Sequence, residues 1–365
     1  MILMNNFQAE PEELLQKEIA AAERVFRSGW YVLGNEVKNF EMAWAQRCQT
    51  SFAVGVGNGM DAIEIGLRSL NIGPGDEVIT TPMTAFATVL AVIRAGATPV
   101  LADIDSETAL LDPASVERCL SNRTKAVLLV HLYGQIGDMD RWMDLCARAN
   151  IHLFEDCAQA HLASWNGKIA GSFGAWGAYS FYPTKNLGAI GDGGALVTNS
   201  ETVAHQAKVL RNYGQSQRYH HPELGLNSRL DELHAAILTT RMDWLNGFTA
   251  RRKDIAKAYF EGIKNPRVRL LAQPKNSENH VYHLFVILCE QRDNLEDFLK
   301  EQGVSNLIHY PIPVHHQAPC RNLRCDPNGL THSEAHANQC LSIPCHPQMS
   351  DADINKVIEV VNAYK

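Results

Sequence analysis

The sequence has no apolar stretch that approaches the roughly 18 residues needed to cross a membrane. Residues 1–26 carry acidic side chains where a signal peptide would carry basic ones, and their apolar runs are only four residues long. Low-complexity segments, internal repeats and long linkers are also absent. These absences argue against a membrane-spanning or exported chain. They predict a cytoplasmic protein whose nine cysteines stay reduced.

An excess of positive charge is missing as well. The chain has 33 Lys and Arg against 40 Asp and Glu, which gives a formal charge of −7. Nucleic-acid binding over a broad surface requires a basic face, so the composition argues against it. A small anionic substrate is compatible with this charge if its site is locally positive.

What the sequence does contain is a regular alternation of patterns. From about residue 50, seven short β-rich runs alternate with helical stretches, which is typical of a mostly parallel sheet covered by helices. After about residue 245 the pattern changes to helices, the run HVYHLFVIL and the Pro-rich IHYPIPVHHQAP. We predict an α/β protein with a large domain over 1–245 and a smaller α+β domain over 246–365.

One lysine stands at the end of a predicted strand. In AYSFYPTKNLGAIGDGGALVTN, residues 178–199, Lys185 follows a buried run and precedes a glycine-rich turn and the next strand. Loops at strand ends are where α/β proteins place their chemistry. Lys185 is therefore a candidate functional residue.

A second candidate is a turn that could bind an anion. In FAVGVGNGMDAIEIGLRSL a strand leads through Gly57, Asn58 and Gly59 into an apolar-faced helix. A helix N-terminus preceded by glycines offers free amides and a favourable dipole to a phosphate. A plain strand-to-helix turn remains the alternative.

A carboxylate completes the set. The buried run IHLFED ends in Glu155 and Asp156, so at least one acid lies at the same sheet edge as Lys185. A helix cap or a surface charge is the ordinary explanation for such an acid. The combination with a lysine and a phosphate-type turn points to pyridoxal phosphate (PLP). That cofactor requires an amine to form an imine, an acid at its pyridine nitrogen and amides at its phosphate.

Five segments together resemble the nucleotide-sugar aminotransferases of the DegT kind. They are SGWYVLGNEVKNFE, FEDCAQAH, SFYPTKNLGAIGDGGALVTN, GLNSRLDELHAA and IHYPIPVHHQ. The resemblance implies the type I fold of PLP-dependent transferases, with a seven-stranded, mostly parallel sheet in the large domain. It also implies a homodimer with two shared active sites.

Residue by residue, the resemblance implies that Lys185 carries the cofactor and that Asp156 faces its pyridine nitrogen. Gln159 resembles the glutamine beside the ring. Further residues resemble the phosphate-binding set, namely Gly59 and Met60 through their amides, Ser180, and Asn227 from the neighbouring subunit. A plain strand residue remains an alternative for Ser180, and a turn or cap residue for Asn227.

Five further residues resemble the substrate-binding positions of the family: Tyr31, Tyr182, Arg229, His309 and Tyr310. For Arg229 a structural ion pair is the alternative. His315 and His316 are also expected near the sugar-nucleotide pocket.

Two features depart from the family or suggest another class. In PMTAFAT, Ala85 occupies the position where many members have a phenylalanine stacked on the cofactor ring, and Phe86 is only a weak substitute because neighbouring side chains point in opposite directions. The C-terminal cysteines 320, 325, 340 and 345 form two C-x4-C pairs, but the spacing is unlike that of structural zinc sites, so we expect no metal.

The resemblance implies transfer of an amino group from L-glutamate to a nucleotide-linked ketosugar, with pyridoxamine phosphate as the intermediate form of the cofactor. Residues 58–61, Asn-Gly-Met-Asp, resemble the enzymes that aminate carbon 3 of dTDP-3-oxo-6-deoxyhexoses. The alternatives are a 4-keto sugar substrate or a non-catalytic PLP-binding regulator. Related sugar dehydratases replace the lysine, which is present here.

Overall fold

The computed structural model describes residues 1–365. Its helices are α1 Glu12–Ser28, α2 Asn35–Arg47, α3 Gly59–Ser69, α4 Phe86–Arg94, α5 Pro113–Cys119, α6 Met139–Ala149, α7 Glu201–Leu210, α8 Glu232–Gly262, α9 Arg292–Glu301, α10 Thr331–Gln339 and α11 Asp351–Ala363. Its strands are β1 Phe52–Val56, β2 Glu77–Thr80, β3 Thr98–Leu101, β4 Thr124–Val130, β5 His152–Asp156, β6 Ser164–Trp165, β7 Lys168–Ile169, β8 Trp176–Ser180, β9 Gly194–Thr198, β10 Arg269–Leu270, β11 Phe285–Leu288, β12 Arg324–Cys325 and β13 Cys340–Ile343. None of the helices is both long and apolar enough to pass through a membrane.

The central sheet has the strand order β1-β9-β8-β5-β4-β2-β3-β12. Strand β9 runs antiparallel to both of its neighbours, and the remaining pairs are parallel. The predicted α/β class with a mostly parallel sheet is therefore confirmed. The seven predicted strands are present, and the two-residue β12, from the C-terminal part of the chain, adds an eighth strand at the edge.

Both faces of this sheet are buried, which explains why its strands are apolar without interruption. In β4, Val127 and Leu129 join one core cluster, whereas Ala126 and Leu128 join the cluster on the opposite face. This alternation is the two-residue period of a strand. Polar side chains are thus confined to the strand ends, where the candidate site lies.

A buried carboxylate of α8 contacts the start of α2. The side chain of Glu232 accepts hydrogen bonds from the amides of Gly34, Glu36 and Val37 at 2.8–2.9 Å. These amides belong to the start of α2, which would otherwise leave them without acceptors. Glu232 therefore fixes residues 30–37 beside the start of α8.

The C-terminal part has its own core around the antiparallel sheet β10-β11-β13. Helix α8 is continuous through the predicted boundary at 245/246. Leu245 packs in the core of the large sheet, whereas Ile255 and Tyr259 pack in the C-terminal core. The N-terminus also reaches this part, because Ile2 forms a bridge with Val304. The division at 245/246 stays a prediction.

Candidate active site

Lys185 lies in the loop that follows β8. Its backbone amide donates to the carbonyl of Tyr182 at 2.8 Å, which closes a turn. Lys185 is half-buried, and its Nζ has no hydrogen-bond or ion-pair partner in the protein. An amine without a protein partner at a strand end is available to a ligand.

The surroundings of Lys185 keep its amine less basic than an ordinary lysine. Burial lowers the pKa of Lys185 from 10.5 to about 8, while the carboxylate of Asp156 acts in the opposite direction. Near it lie His161, His283 and His309, whose pKa values are lowered first by burial and then by the charge of Lys185. The pKa is about 3 for His161 and about 4 for His309, so both rings are uncharged at neutral pH.

The two acids at the end of β5 have different environments. Asp156 lies level with Ala178 of β8, and its carboxylate accepts from the Thr88 hydroxyl at 2.8 Å and from the Ala158 amide at 3.1 Å. Glu155 is fully buried on the other side of the strand, where three backbone amides and His131 surround it. Asp156 is thus the acid on the side of Lys185, and Glu155 holds the loop 171–174 in place.

The glycine turn before α3 lies against the end of β8. Asn58 caps the helix by accepting from the Asp61 amide at 2.8 Å. A Cβ added to Gly59 would lie 2.7 Å from the Cβ of Ser180, a distance that real side chains do not adopt. Gly59 therefore allows the Ser180 hydroxyl and the first amides of α3, including that of Met60, to meet in one small region. A helix N-terminus beside a hydroxyl group can bind a phosphate.

Gln159 links the sheet edge to the C-terminal part. Its side-chain oxygen accepts from the Tyr133 amide at 2.6 Å, and its nitrogen donates to the Tyr310 hydroxyl at 3.2 Å. The Tyr133 hydroxyl in turn bonds the carbonyl of His309 and lies 2.9 Å from a ring nitrogen of His336. The structure thus joins Gln159 to Tyr310 and places His309 near enough to Lys185 for the lysine charge to lower its pKa, while the roles of these residues stay predictions.

The other expected positions are at the surface. Tyr31 and Tyr182 are both about half exposed. Arg229 donates to the Asn212 side chain at 3.0 Å and stacks over Tyr213, so its protein contacts are a hydrogen bond and a cation–π contact. Substrate binding by these three residues stays a prediction.

Asn227 lies beside the glycine turn without touching it. Its side chain is exposed and makes no hydrogen bond within the chain. The next residue, Ser228, is buried and accepts from the Gly57 amide at 2.9 Å, which fixes the strand segment against the turn. Asn227 is therefore presented outward next to a candidate phosphate site.

The position expected to stack on a cofactor ring carries no aromatic side chain. Ala85 is the residue that precedes α4. Phe86 packs instead against an apolar cluster that includes Val89, Val314 and Cys320. This packing argues against Phe86 as a stacking residue.

The C-terminal cysteines do not gather into a ligand set. Cys320, Cys340 and Cys345 are buried in separate clusters, and Cys325 lies at the sheet edge in β12. His315 and His316 lie against Glu334 of α10 and form no hydrogen bond to the residues around Lys185.

The contacts made by several neighbours of the candidate site could not be predicted from the sequence. Thr88 holds Asp156, and the Asn186 side chain binds the Val281 carbonyl at 3.1 Å and lies 3.3 Å from His283. His161 is fully buried among aromatic rings, with both ring nitrogens lacking a protein partner. Thr88 and His161 do lie within motifs that the sequence presents, PMTAFAT and FEDCAQAH, but nothing in those motifs reveals what they contact.

The site combines a mostly parallel sheet with a lysine, a carboxylate and a helix N-terminus preceded by glycines, all at one sheet edge. Fold type I PLP-dependent transferases have this arrangement. The chain belongs to the DegT/DnrJ/EryC1/StrS aminotransferase family, whose model matches residues 12–362. It is 44% identical over 350 residues to dTDP-3-amino-3,6-dideoxy-alpha-D-galactopyranose transaminase of Aneurinibacillus thermoaerophilus, with 96% of each chain covered. A Geobacillus stearothermophilus relative described as a pleiotropic regulatory protein is 39% identical over 360 residues, covering 98% of this chain and 97% of that relative.

Solved structures show the same fold. Streptomyces venezuelae DesV, in complex with a ketimine intermediate, matches with a TM-score of 0.95 at 41% identity, covering 99% of this chain and 97% of its own. Bacillus subtilis NtdA with bound cofactor PMP (pyridoxamine phosphate) matches with a TM-score of 0.89 at 28% identity, covering 97% and 82%. The type I fold and the aminotransferase family are thus both shown.

Proposed function

We propose that this chain is a PLP-dependent transaminase that moves the amino group of L-glutamate to a dTDP-linked 3-keto-6-deoxyhexose. The product is a dTDP-3-amino-3,6-dideoxyhexose. The observation that carries the proposal is the partnerless amine of Lys185, whose pKa responds to the charge of Asp156. An amine and a carboxylate in this relation are what PLP chemistry requires of the protein.

The residues present fit the cofactor. Gly59 lies directly against Ser180, and the amides of Gly59 and Met60 at the start of α3 have no hydrogen-bond acceptor in the protein. These groups would hold the phosphate, Asp156 the pyridine nitrogen, and Lys185 the aldehyde carbon. When bound, PLP supplies a carbonyl that takes up an amino group and a ring that spreads negative charge.

Lys185 would move the proton. With a pKa of about 8, about one amine in ten is uncharged at pH 7, against fewer than about one in a thousand for an ordinary lysine. In the first half-reaction an uncharged Nζ would take the proton from the glutamate α-carbon and pass it to the cofactor, and in the second it would take a proton back from the cofactor and deliver it to carbon 3 of the sugar. Because one group serves both halves, the reaction needs no second base.

Asp156 and Gln159 would orient and polarise the ring. Asp156 is held by Thr88 and by the Ala158 amide, so its carboxylate keeps one direction. Gln159 is fixed at both ends of its amide, by Tyr133 and by Tyr310. Rigid partners of this kind lose little orientation when charge develops in the ring.

The sugar class is supported by the relatives rather than by a pocket. The Aneurinibacillus relative is named for a dTDP-3-amino-3,6-dideoxy sugar. Residues 58–61 bind cofactor rather than sugar in this proposal, so their resemblance to carbon-3 enzymes supports the assignment only indirectly. The formal charge of −7 leads us to expect no nucleic-acid partner, and we expect a cytoplasmic enzyme.

We expect the purified enzyme, given glutamate, to aminate a dTDP-3-keto-6-deoxyhexose much faster than the corresponding 4-keto compound. Mass spectrometry of the sugar product and formation of 2-oxoglutarate would measure both rates. A clear preference for the 4-keto sugar would overturn the carbon-3 assignment and leave the transaminase activity in place. Turnover of neither sugar, together with no release of 2-oxoglutarate, would favour the regulator suggested by the name of the Geobacillus relative.

We further infer a homodimer with shared sites. Large apolar side chains are exposed in three segments near the site, among them Trp30, Ile190 and Leu224, which are 62%, 54% and 88% exposed. Exposed apolar groups in such number favour burial against another chain. Asn227 would then reach the phosphate of the partner subunit, and its side-chain nitrogen would donate to a phosphate oxygen, an acceptor that it lacks in its own chain.

Replacing Asn227 by alanine is expected to weaken cofactor binding roughly ten- to a hundredfold, the value of a hydrogen bond to a charged group. Mixing Asn227→Ala chains with Lys185→Ala chains tests the sharing. If sites are shared, a mixed dimer contains one intact site, and activity at limiting cofactor rises above that of either variant. No gain on mixing, despite demonstrated subunit exchange, would place Asn227 in its own chain's site.

A further inference from the structure

Two histidines and a glutamate converge on the surface beyond the Pro-rich segment. His315 and His316 lie in the short helical turn Val314–His316, and Glu334 lies in the first turn of α10. The Nε2 of His315 is 3.0 Å from Oε1 of Glu334, and the Nε2 of His316 is 3.6 Å from the same oxygen. We call these three residues the His-His-Glu cluster.

The spacing of the His-His-Glu cluster suits a metal ion. Zinc bonds to imidazole and carboxylate are about 2.0–2.2 Å long, which places two tetrahedral ligands about 3.3 Å apart. The two observed nitrogen-to-oxygen distances lie on either side of that value, and all three ligand atoms are within 4.8 Å of one another. Small side-chain rotations are therefore enough to surround an ion.

An ordinary histidine–glutamate pair explains this arrangement less well. One histidine would satisfy the carboxylate oxygen, yet two imidazole rings approach it, with their centroids 4.1 Å apart. The turn that presents them is itself fixed, because the His316 amide donates to the Pro313 carbonyl at 2.9 Å and buried Val314 anchors it. Two imidazole rings held close to one carboxylate therefore form a set of three potential metal ligands rather than one histidine–glutamate pair.

Solvent access to the His-His-Glu cluster and the types of its ligand atoms together indicate which ion it would bind. The side chain of His315 is 12% exposed, whereas those of His316 and Glu334 are 55% and 44% exposed, so an ion can enter from solvent and retain water. Two imidazoles and one carboxylate favour zinc and other late transition metals, whereas calcium and magnesium prefer all-oxygen sites.

The second group of potential metal ligands in the chain is neither accessible to solvent nor free of other hydrogen-bond partners. His131, Glu155 and Cys157 are fully buried, and the Glu155 oxygens already accept from the amides of Gly171, Phe173 and Gly174. The arrangement there is explained by the loop that Glu155 holds.

We propose that the His-His-Glu cluster binds one divalent late transition-metal ion, best matched by Zn²⁺, with water completing its coordination. The ion would clip the turn at 314–316 to α10. Since Tyr310, which contacts Gln159, precedes that turn by four residues, the clip would steady the segment that reaches the candidate active site. This site is separate from the transamination chemistry proposed above, and its test does not depend on that chemistry.

Equilibrium dialysis of the tag-free, PLP-loaded protein against Zn²⁺, with metal analysis, tests the proposal. One zinc per chain should bind with a dissociation constant in the micromolar range or tighter. His316→Ala and Glu334→Gln should each weaken binding at least about tenfold. His332→Ala is the matched control, because it removes an exposed histidine from the same helix without touching the cluster, and it should leave the affinity unchanged.

A second measurement reports on the ligands directly. Cu²⁺ bound to the wild-type protein should show electron paramagnetic resonance splitting from two imidazole nitrogens, and from one in His316→Ala. Circular dichroism and melting temperature of the metal-free variants would show that they fold. Absence of stoichiometric zinc, or equal affinity of the wild-type protein and folded His316→Ala, would overturn the proposal.

Discussion

Replacement of Lys185 by alanine is expected to lower the transamination rate, as kcat/KM, by at least about a thousandfold. The amine is both the attachment point and the proton carrier in the proposed reaction. The alternative bases near it are His161, His283 and His309; burial lowers the pKa of all three, to about 3 for His161 and about 4 for His309, so they are poor proton acceptors at neutral pH. No neighbouring group can therefore take over the proton transfer.

The same variant should fold normally. The pKa of Lys185 is lower in the folded state, about 8, than the ordinary 10.5, so the unfolded state binds its proton more tightly. The charged amine thus destabilises the folded protein below about pH 8, and this contribution disappears as pH rises towards 10.5. Removing the amine relieves it, so we expect a melting temperature at pH 7 equal to or above that of the wild-type apoprotein.

The control for Lys185→Ala is Lys208→Ala, which removes an exposed lysine of α7 that has no hydrogen-bond or ion-pair partner. It should retain wild-type turnover. Rates would be measured from 2-oxoglutarate formation and from the sugar product. Transamination by Lys185→Ala at more than a trace of the wild-type rate would remove Lys185 from its proposed role.

The sequence is sufficient to predict the sheet because parallel strands buried on both faces are apolar throughout. It also predicts which residues meet at the sheet edge, since Asp156, Ser180 and Lys185 each lie at or just after a strand end. The parallel order of the strands brings such positions to one edge of the sheet, whichever residues surround them. The glycine turn is predictable for the same reason, as Gly59 directly begins α3.

Other features depend on tertiary contacts that leave no local pattern. The bond from Thr88 to Asp156 joins residues 68 positions apart, and the packing of Phe86 is decided by C-terminal residues such as Val314. The sequence of α8 does not show where a domain boundary would fall. Its helical pattern is continuous, although the two halves of the helix pack in different cores. The convergence of His315 and His316 on Glu334 likewise depends on how α10 docks beside the turn.

Asp156→Asn is expected to lower kcat/KM by roughly a hundred- to a thousandfold, the range for losing one oriented charge at a reacting group. An amide has nearly the shape of the carboxylate but carries no charge. It cannot keep a pyridine nitrogen protonated, so negative charge developing during proton transfer would be less well stabilised. The Thr88 hydroxyl and the Ala158 amide, which both donate to the carboxylate, would retain only one good acceptor oxygen.

A readout other than turnover separates charge from structure in Asp156→Asn. The carboxylate raises the pKa of Lys185 against the effect of burial, so its loss should move that pKa below about 8. The pH dependence of Lys185 acetylation in the apoprotein, followed by peptide mass spectrometry, measures this shift. Thr88→Val is the matched control, because it removes a hydrogen bond to Asp156 and keeps the charge, so it should cost less activity and leave the Lys185 titration nearly unchanged. If Asp156→Asn left the midpoint of Lys185 where it was, the carboxylate would not act on the amine electrostatically. The two residues would then not form one catalytic unit.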